Sequence, residues 1–300
     1  MADFSVGIVG LDSMGAALTR RLEQQGVRHA ATDLNSRMLQ AHLAEGGSAP
    51  MGSPFELAQI CDLILIAETA DETLRESVTG SVGLMHALRP GTIIIDLSEA
   101  SPQVGPALAR ALYSKGAIWL EATPVGSPQD ALDGTLTLLT SGSADALERV
   151  MPVLRTFASK TLRLGEIGSG PLAKSFVAAL GAASLVLYTE FVVLAKKAGL
   201  DPSGLLEAMP LLAPGAVAPP PGVAAEVLTG RYESGISNKR ILEDIDRVLV
   251  AGRAVLAPMP FANLAQAAYV SGAHSPRATG DHMDVARWMA DNAGLKFGED

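Results

Sequence analysis

One stretch near the N-terminus constrains the fold more than any other, because residues 6–26 read VGIVGLDSMGAALTRRLEQQG. An apolar run ends at Gly10, a short turn follows, and a helix-like segment opens at Gly15. Units of a parallel β-sheet that bind a dinucleotide begin in this way, with the first N–H groups of the helix facing the pyrophosphate. The stretch therefore predicts a strand, a phosphate-binding turn and a helix, in that order.

One residue of this turn departs from the usual G-x-G-x-x-G pattern. Asp12 stands where the middle glycine normally lets the backbone approach the phosphates. A carboxylate at this place adds bulk and negative charge, which weakens anion binding, unless it turns to solvent and caps the helix. A turn that holds no ligand is a third interpretation, and the sequence leaves all three open.

The chain as a whole shows two patterns. Up to about residue 165, apolar runs typical of buried parallel strands alternate with segments that can form helices. The runs cover residues 5–10, 29–33, 63–67, 92–97, 118–122 and 136–140. After Gly168 helical patterns dominate, at residues 171–199, 203–209, 222–230, 238–257, 260–272 and 281–293. The prolines between residues 211 and 222 indicate a loop.

These patterns predict an α/β fold with two domains. A Rossmann-type doubly wound parallel sheet is expected over residues 1–165 and an all-α domain over residues 166–300. The chain has 300 residues, of which 48% are hydrophobic, and this is enough apolar material for two buried cores.

Composition limits the partners of the chain. A net charge of −9 at pH 7 gives a surface that repels nucleic-acid phosphates. The single cysteine, Cys61, excludes an intramolecular disulfide, and the first residues have no basic region of a secretory signal and run straight into the first predicted strand. We therefore expect a cytoplasmic protein with a small-molecule substrate and no nucleic-acid partner.

Residues 175–195 are apolar enough to be considered as a membrane span, with Glu190 as their only charge. A single such segment, without an aromatic belt or a signal, is more typical of the centre of a helical domain or of a subunit interface. We expect no membrane association. We do expect a homo-oligomer, because the helix offers more apolar surface than one small domain covers.

Asp33 ends the second apolar run, some twenty residues after the glycine turn. An acidic side chain at this place accepts hydrogen bonds from the ribose hydroxyls of a dinucleotide and repels a 2′-phosphate. The residue therefore favours NAD over NADP. Arg37, four residues later, could reach a 2′-phosphate, so NADP stays open.

Five segments of the chain resemble, in the same order, motifs of the β-hydroxyacid dehydrogenase family, which includes 3-hydroxyisobutyrate dehydrogenase and tartronate semialdehyde reductase. They are VGIVGLDSMG, IIIDLSEASP, EATPVGSPQDALDGTL, GEIGSGPLAKSFVAALG and ILEDIDRVLVAG. The resemblance covers nearly the whole chain. It implies an NAD(P)-dependent oxidoreductase that transfers hydride between the nicotinamide and a hydroxyl or carbonyl substrate, and it also implies a dimer.

The same resemblance implies roles for particular residues. Lys174 matches the family's acid/base lysine, which exchanges a proton with the substrate hydroxyl. The implied cofactor contacts are Gly10, Leu11, Ser13, Met14, Gly15, Asp33, Ala67, Ser98 and Glu99. The implied substrate contacts are Val125, Gly126, Ser127, Ala178, Arg240 and Asp244. The histidines include no pair at metal-binding helical spacing, and we expect no metal.

Two substrate segments depart from the family pattern. Ala178 replaces an asparagine that would hydrogen-bond the substrate one helical turn after Lys174. The family's S-G-G is Gly126-Ser127-Pro128 here, so the serine is moved by one residue and the proline removes a backbone donor. Recognition of a small carboxylate substrate is therefore weakened.

A third departure reverses a charge. Glu243 replaces the family's lysine beside Asp244, while Lys239 and Arg240 lie one helical turn earlier. These two cations either supply the missing positive charge to the substrate or pair with the two carboxylates on a solvated face. The sequence leaves both interpretations open.

Two hypotheses follow from the sequence. The first is an oxidoreductase of the β-hydroxyacid dehydrogenase type, with Lys174 as acid/base group and a substrate that is larger or less anionic than a small 3-hydroxy acid. The second is a non-catalytic descendant of the family that acts as a binding or scaffold module. Asp12, Ala178 and Glu243 favour the second hypothesis, and Lys174 favours the first.

Overall fold

A computed structural model describes residues 4–47, 51–98, 100–212, 220 and 222–298. The chain divides into two compact units, residues 1–174 and 175–300. Lys174 is therefore the last residue of the first unit. The sequence-based boundary, between residues 165 and 166, lies a few residues before this one.

The first unit is built around a sheet of seven strands. They are β1 (Val6–Val9), β2 (His29–Thr32), β3 (Leu63–Ile66), β4 (Ile93–Asp96), β5 (Ile118–Val125), β6 (Leu136–Ser141) and β7 (Ala158–Gly165). Their order across the sheet is β2-β1-β3-β4-β5-β6-β7, and every neighbouring pair is parallel except β5 and β6. The order reverses at β1, and open α/β sheets bind their ligands beyond the carboxyl ends of the strands at such a place.

Both faces of this sheet are buried. Successive residues of β3 point to opposite faces, so that Leu63 and Leu65 join one apolar cluster while Ile64 and Ile66 join another. All four side chains are fully buried. This explains why the strand has no polar residue and why the sheet needs helices on each side.

The helices of the first unit lie between these strands. They are α1 (Ser13–Gln24), α2 (Ser36–Ala44), α3 (Pro54–Ile60), α4 (Asp71–Thr79), α5 (Val104–Tyr113), α6 (Pro128–Asp133) and α7 (Ala144–Phe157). Several begin at a side chain that accepts a hydrogen bond from the first turn, as Asn35 does for α2, Ser53 for α3 and Ser143 for α7. A 3₁₀ turn covers Leu84–His86.

The six strands predicted from sequence are confirmed, but the seventh is missing from the prediction. The segment of β7, ASKTLRLG, is mostly exposed and carries Lys160 and Arg163, as suits the last strand of a sheet. Apolar runs reveal buried strands and miss an edge strand of this composition.

The second unit is helical. Helix α8 (Ser169–Lys197) leads into it, followed by α9 (Pro202–Leu212), α10 (Asn238–Ala254), α11 (Pro260–Ala273) and α12 (Asp284–Asn292). A π-helical turn covers Val223–Val227. Buried residues from α8, α10, α11 and α12 form one core, among them Val192, Ile245, Tyr269 and Val285.

Two sequence-based expectations concern this unit. Helix α9 continues through Leu211 and Leu212, where we predicted the proline-rich loop to begin; residues 213–219 and 221 of that loop lie outside the described residues. Helix α8 is long and apolar enough to cross a membrane, but a core helix of a soluble protein meets the same test. About a third of its most apolar window is buried (33%), so α8 also keeps an exposed apolar face.

Candidate active site

The turn after β1 requires glycine at two positions. Gly10 has φ +91°, and a Cβ atom on it would lie 2.6 Å from the carbonyl oxygen of Ala67. A Cβ atom on Gly15 would collide with the carbonyl oxygen of Gly10. The turn therefore brings the start of α1 against the ends of β1 and β3 more closely than any other residue type allows.

Asp12 caps the helix that follows this turn. Its carboxylate accepts hydrogen bonds from the N–H groups of Met14 (3.1 Å) and Gly15 (3.2 Å). This is the N-cap interaction that the sequence left as one of three interpretations. It has a consequence for binding, because these N–H groups are among those that a helix N-terminus offers to a phosphate.

A cavity of about 190 Å³ opens at the carboxyl ends of the strands. Its lining residues are Asp12, Ser13, Met14, Ala67, Glu68, Thr69, Leu97, Pro124, Gly126, Pro128 and Lys174. Five of the predicted site residues therefore lie around one space: Ser13, Met14, Ala67, Gly126 and Lys174. The glycine turn and Lys174, the one lysine of this lining, therefore face the same cavity.

Lys174 is placed by the first turns of α8. Gly168 precedes this helix with φ +99°, and a Cβ atom on Gly170 would lie 2.8 Å from the carbonyl oxygen of Leu139. These glycines let the helix start close to the sheet. The Lys174 ammonium then donates a hydrogen bond to the carbonyl oxygen of Pro124 on β5 (3.3 Å), which holds it at the edge of the cavity.

The segment after β5 uses its serine to start a helix. The Ser127 hydroxyl donates to the Asp130 carboxylate (2.6 Å) and accepts from the Asp130 N–H, while the Ser127 N–H donates to the same carboxylate (2.7 Å). This capping box begins α6, with Pro128 as its first residue. The bonds from Ser127 also lower the pKa of Asp130. The predicted substrate contacts Ser127 and Val125 are not among the residues that line the cavity.

The predicted substrate residues Arg240 and Asp244 belong to the second unit and form an ion pair there (3.4 Å). Asp244 is buried and also accepts hydrogen bonds from Arg247 (3.0 Å) and Ser175 (3.3 Å). Lys239 pairs with Glu243 (3.7 Å). Both cations therefore pair with the two carboxylates, although Asp244 is buried rather than on a solvated face. Ala178 lies on α8, four residues after Lys174.

The remaining predicted cofactor residues lie at the strand ends. Leu11 donates its N–H to the Asp33 carboxylate (2.7 Å), so the glycine turn is tied to the end of β2. Ser98 is buried, and its hydroxyl accepts a hydrogen bond from the N–H of Glu68 (3.2 Å). Glu99 lies outside the described residues.

Two buried carboxylates lie next to each other beneath this edge of the sheet, since Asp96 on β4 pairs in register with Glu121 on β5. One oxygen of Glu121 accepts hydrogen bonds from the Gly168 N–H (2.6 Å) and the Ser141 hydroxyl, and the other has no partner among the described residues. Burial raises the pKa of Glu121 to about 7 and that of Asp96 to about 6.

We expect Glu121→Gln to flatten the pH dependence of stability. The pKa of Glu121 is higher in the folded chain, about 7, than its ordinary value of 4.5, so the folded state holds this proton more tightly. The resulting stability is complete below about pH 4.5 and is lost as the pH rises towards 7, by about 3 kcal/mol in all. Urea unfolding of both proteins across this range measures the slope.

The window above about pH 6 separates Glu121 from Asp96, whose pKa is raised only to about 6. Exposed Glu148, changed to Gln, is the matched control and should keep the slope of the unaltered chain. If the free energy of unfolding changes equally with pH in Glu121→Gln and in the unaltered chain, the prediction is contradicted.

Comparisons with known proteins decide the family. Residues 5–165 match the NAD binding domain of 6-phosphogluconate dehydrogenase, which is more than half of the chain. Residues 168–289 match the NAD-binding domain of NADP-dependent 3-hydroxyisobutyrate dehydrogenase. The chain belongs to the β-hydroxyacid dehydrogenase family. It is an NAD(P)-dependent dehydrogenase that acts on CH–OH groups.

Other members of the family span most of the chain. L-threonate dehydrogenase of Cupriavidus necator is 30% identical over 204 residues, which are 68% of each chain. 2-(Hydroxymethyl)glutarate dehydrogenase of Eubacterium barkeri is 25% identical over 267 residues, 89% of this chain and 88% of that one. The structure of Mycobacterium tuberculosis 3-hydroxyisobutyrate dehydrogenase with L-serine has a TM-score of 0.80 at 25% identity and covers 95% of this chain and 99% of its own.

The glycine turn of this dehydrogenase fits a dinucleotide. Because Gly10 and Gly15 have no side chains, the backbone of the turn can come close to the phosphates of a dinucleotide. A second cavity of about 470 Å³ is lined by Asp33, whose carboxylate binds the turn. The Asp12 carboxylate is unfavourable for this fit, because it occupies N–H groups that would face the pyrophosphate.

Sequence reasoning missed several residues of the cavity, of which Glu68 bears most on its chemistry. Glu68 follows β3 directly, and its carboxylate accepts a hydrogen bond from the Ser77 hydroxyl (2.6 Å). Burial, and beyond it the charges of Asp33 and Asp12, raise the pKa of Glu68 above its usual range. Its position directly after a buried apolar run is the sequence signal that could have identified Glu68, because ligand-binding residues of open α/β sheets follow the strands.

Proposed function

We propose that this dehydrogenase oxidises the hydroxyl group of a small molecule, or reduces the corresponding carbonyl, with Lys174 as the acid/base group. The observation that carries the proposal is that Lys174 lines the same cavity as Ser13 and Met14 of the glycine turn. A bound NAD(P) supplies the acceptor or donor of the hydride. During oxidation Lys174 acts as a neutral amine, whose Nζ takes the hydroxyl proton and becomes an ammonium, and during reduction the ammonium returns that proton to the oxygen.

The substrate we propose is larger or less anionic than a small 3-hydroxy acid. Three groups that would recognise a carboxylate are lost or engaged: Ala178 has no polar side chain, the Ser127 hydroxyl belongs to a capping box, and Arg240 pairs with Asp244. Relatives named for L-threonate and 2-(hydroxymethyl)glutarate provide the acidic comparison substrates. Faster turnover of neutral alcohols than of these acids would support the proposal, and the reverse order would contradict it.

Titration with NADH and NADPH tests the function itself, followed by a screen of carbonyl and hydroxyl compounds. We propose NAD as the preferred cofactor, because Asp33 closes the ribose end of the site with a carboxylate. Binding of neither cofactor would overturn the proposed function and favour the alternative, a non-catalytic binding or scaffold module.

We also propose that the second unit forms a homodimer in the cytoplasm. An apolar groove of about 670 Å³ lies between α8, α11 and α12, with exposed Leu180, Leu187, Phe261 and Leu264 in its lining. An exposed apolar surface of this kind marks an interaction site, and the extended apolar face of α8 continues it. The single cysteine fits a reducing compartment.

We expect sedimentation at micromolar concentration to show a dimer, and Leu264→Asp to shift it to a monomer. Leu264 is 67% exposed in the single chain, so a charge there leaves the core intact but cannot be buried against a partner. The exposed Val255, changed to Asp, is a control outside the groove. A monomer in the unaltered chain contradicts the prediction.

A further inference from the structure

The second cavity, of about 470 Å³, is acidic. Its lining residues are Asp33, Leu34, Asn35, Glu68, Glu72, Thr73 and Glu76. It lies at the carboxyl ends of β2 and β3, the two neighbours of β1, which is where the sheet order reverses. In a doubly wound sheet with a glycine turn after β1, the adenosine half of a dinucleotide occupies this place.

Asp33 lines this cavity, and two backbone hydrogen bonds hold its carboxylate in place. One oxygen of its carboxylate accepts the Leu11 N–H (2.7 Å) and the other accepts the Asn35 N–H (2.7 Å). Each carboxylate oxygen has a second lone pair, so both can still accept a ribose hydroxyl. Asp33 is therefore held in place for an unphosphorylated ribose before any ligand arrives.

Three more carboxylates line the same cavity. Glu72 and Glu76 lie one turn apart on α4 and line the cavity together, while Glu68 comes from the end of β3. Glu68 is anchored at both ends, because its carboxylate accepts from Ser77 (2.6 Å) and its N–H donates to Ser98 (3.2 Å). The four carboxylates come from the ends of β2 and β3 and from α4, and all of them line one space.

We propose that Glu68, Glu72 and Glu76 act with Asp33 to select NAD(H) over NADP(H). A 2′-phosphate would bring close to two negative charges into a cavity lined by four carboxylates, whereas ribose hydroxyls and the adenine amino group are donors that carboxylates accept. The selectivity is thus a property of the whole cavity rather than of the residue that ends β2. The inference rests on the proposed function, since it assigns the cofactor of the same site.

The test compares the dissociation constants of NADH and NADPH, measured by fluorescence titration at low salt. The variant is Glu72→Gln combined with Glu76→Gln, which keeps the shape and one acceptor oxygen on each side chain and removes two charges. We expect NADPH to bind roughly tenfold more tightly to it, and NADH to change by less than about twofold. Added salt should narrow the difference between the variant and the unaltered chain, because both side chains are exposed.

The control variant, Asp145→Asn with Glu148→Gln, removes two charges from exposed positions on α7, outside the cavity. It should leave the ratio of the two constants unchanged. An unchanged ratio in the Glu72/Glu76 variant, with NADH still bound, overturns the selectivity alone, as does preference of the unaltered chain for NADPH. Absence of binding of both cofactors overturns the selectivity together with the proposed function.

Discussion

Lys174→Ala is expected to lower turnover by about 10²- to 10⁴-fold, the usual contribution of a positioned acid/base group. The loss should appear in kcat, while the dissociation constant of NADH should change little. The reason is the position of Lys174: its ammonium donates to the Pro124 carbonyl in the lining of the cavity, whereas the N–H groups at the start of α1 are the ones that face the phosphates. Steady-state kinetics and a fluorescence titration measure the two quantities.

Two further variants separate proton transfer from charge. Lys174→Arg keeps the positive charge but cannot give up its proton near neutral pH, so it should be nearly as slow as Lys174→Ala. Lys115→Ala removes an exposed lysine after α5 and should leave kcat unchanged. Full activity in Lys174→Arg would show that Lys174 acts only through its charge, and full activity in Lys174→Ala would remove it from the mechanism.

The sequence predicts those parts of the fold in which burial or close packing restricts the residue type at each position. The four buried positions of β3 require apolar side chains, and residues 10 and 15 require glycine because a Cβ atom would collide with backbone there. The edge strand β7 shows the limit, because most of its side chains are exposed to solvent and its sequence carries no continuous apolar run. Local sequence therefore identifies buried strands and turns better than edge strands.

The candidate site shows the same division. Lys174 stands out from its sequence context. The family resemblance gives Ser127 a substrate role, and Ser127-Pro128-Gln129-Asp130 also carries the signature of the capping box that begins α6. The acidic cavity could not be predicted locally. Glu68 and Asp33 follow β3 and β2, and only the sheet order that places both strands beside β1 brings them together.

The other large effect is expected at Asp12, where Asp12→Gly should bind NADH roughly tenfold more tightly than the unaltered chain. The carboxylate now holds the N–H groups of Met14 and Gly15, and a pyrophosphate that approaches the start of α1 must displace it or face its charge. Glycine removes the bulk and the charge, and it costs the helix only a few tenths of a kcal/mol as an N-cap.

Asp12→Asn divides this effect into its causes, because asparagine keeps a capping oxygen and nearly the same volume but carries no charge. If repulsion dominates, Asp12→Asn gains nearly as much affinity as Asp12→Gly, and the gain of both variants falls with added salt. If competition for the N–H groups dominates, Asp12→Asn stays close to the unaltered chain and only the glycine variant binds more tightly. Equal or weaker binding of NADH by Asp12→Gly would mean that the carboxylate swings away from Met14 and Gly15 without cost, so that the departure from the glycine pattern does not limit cofactor affinity.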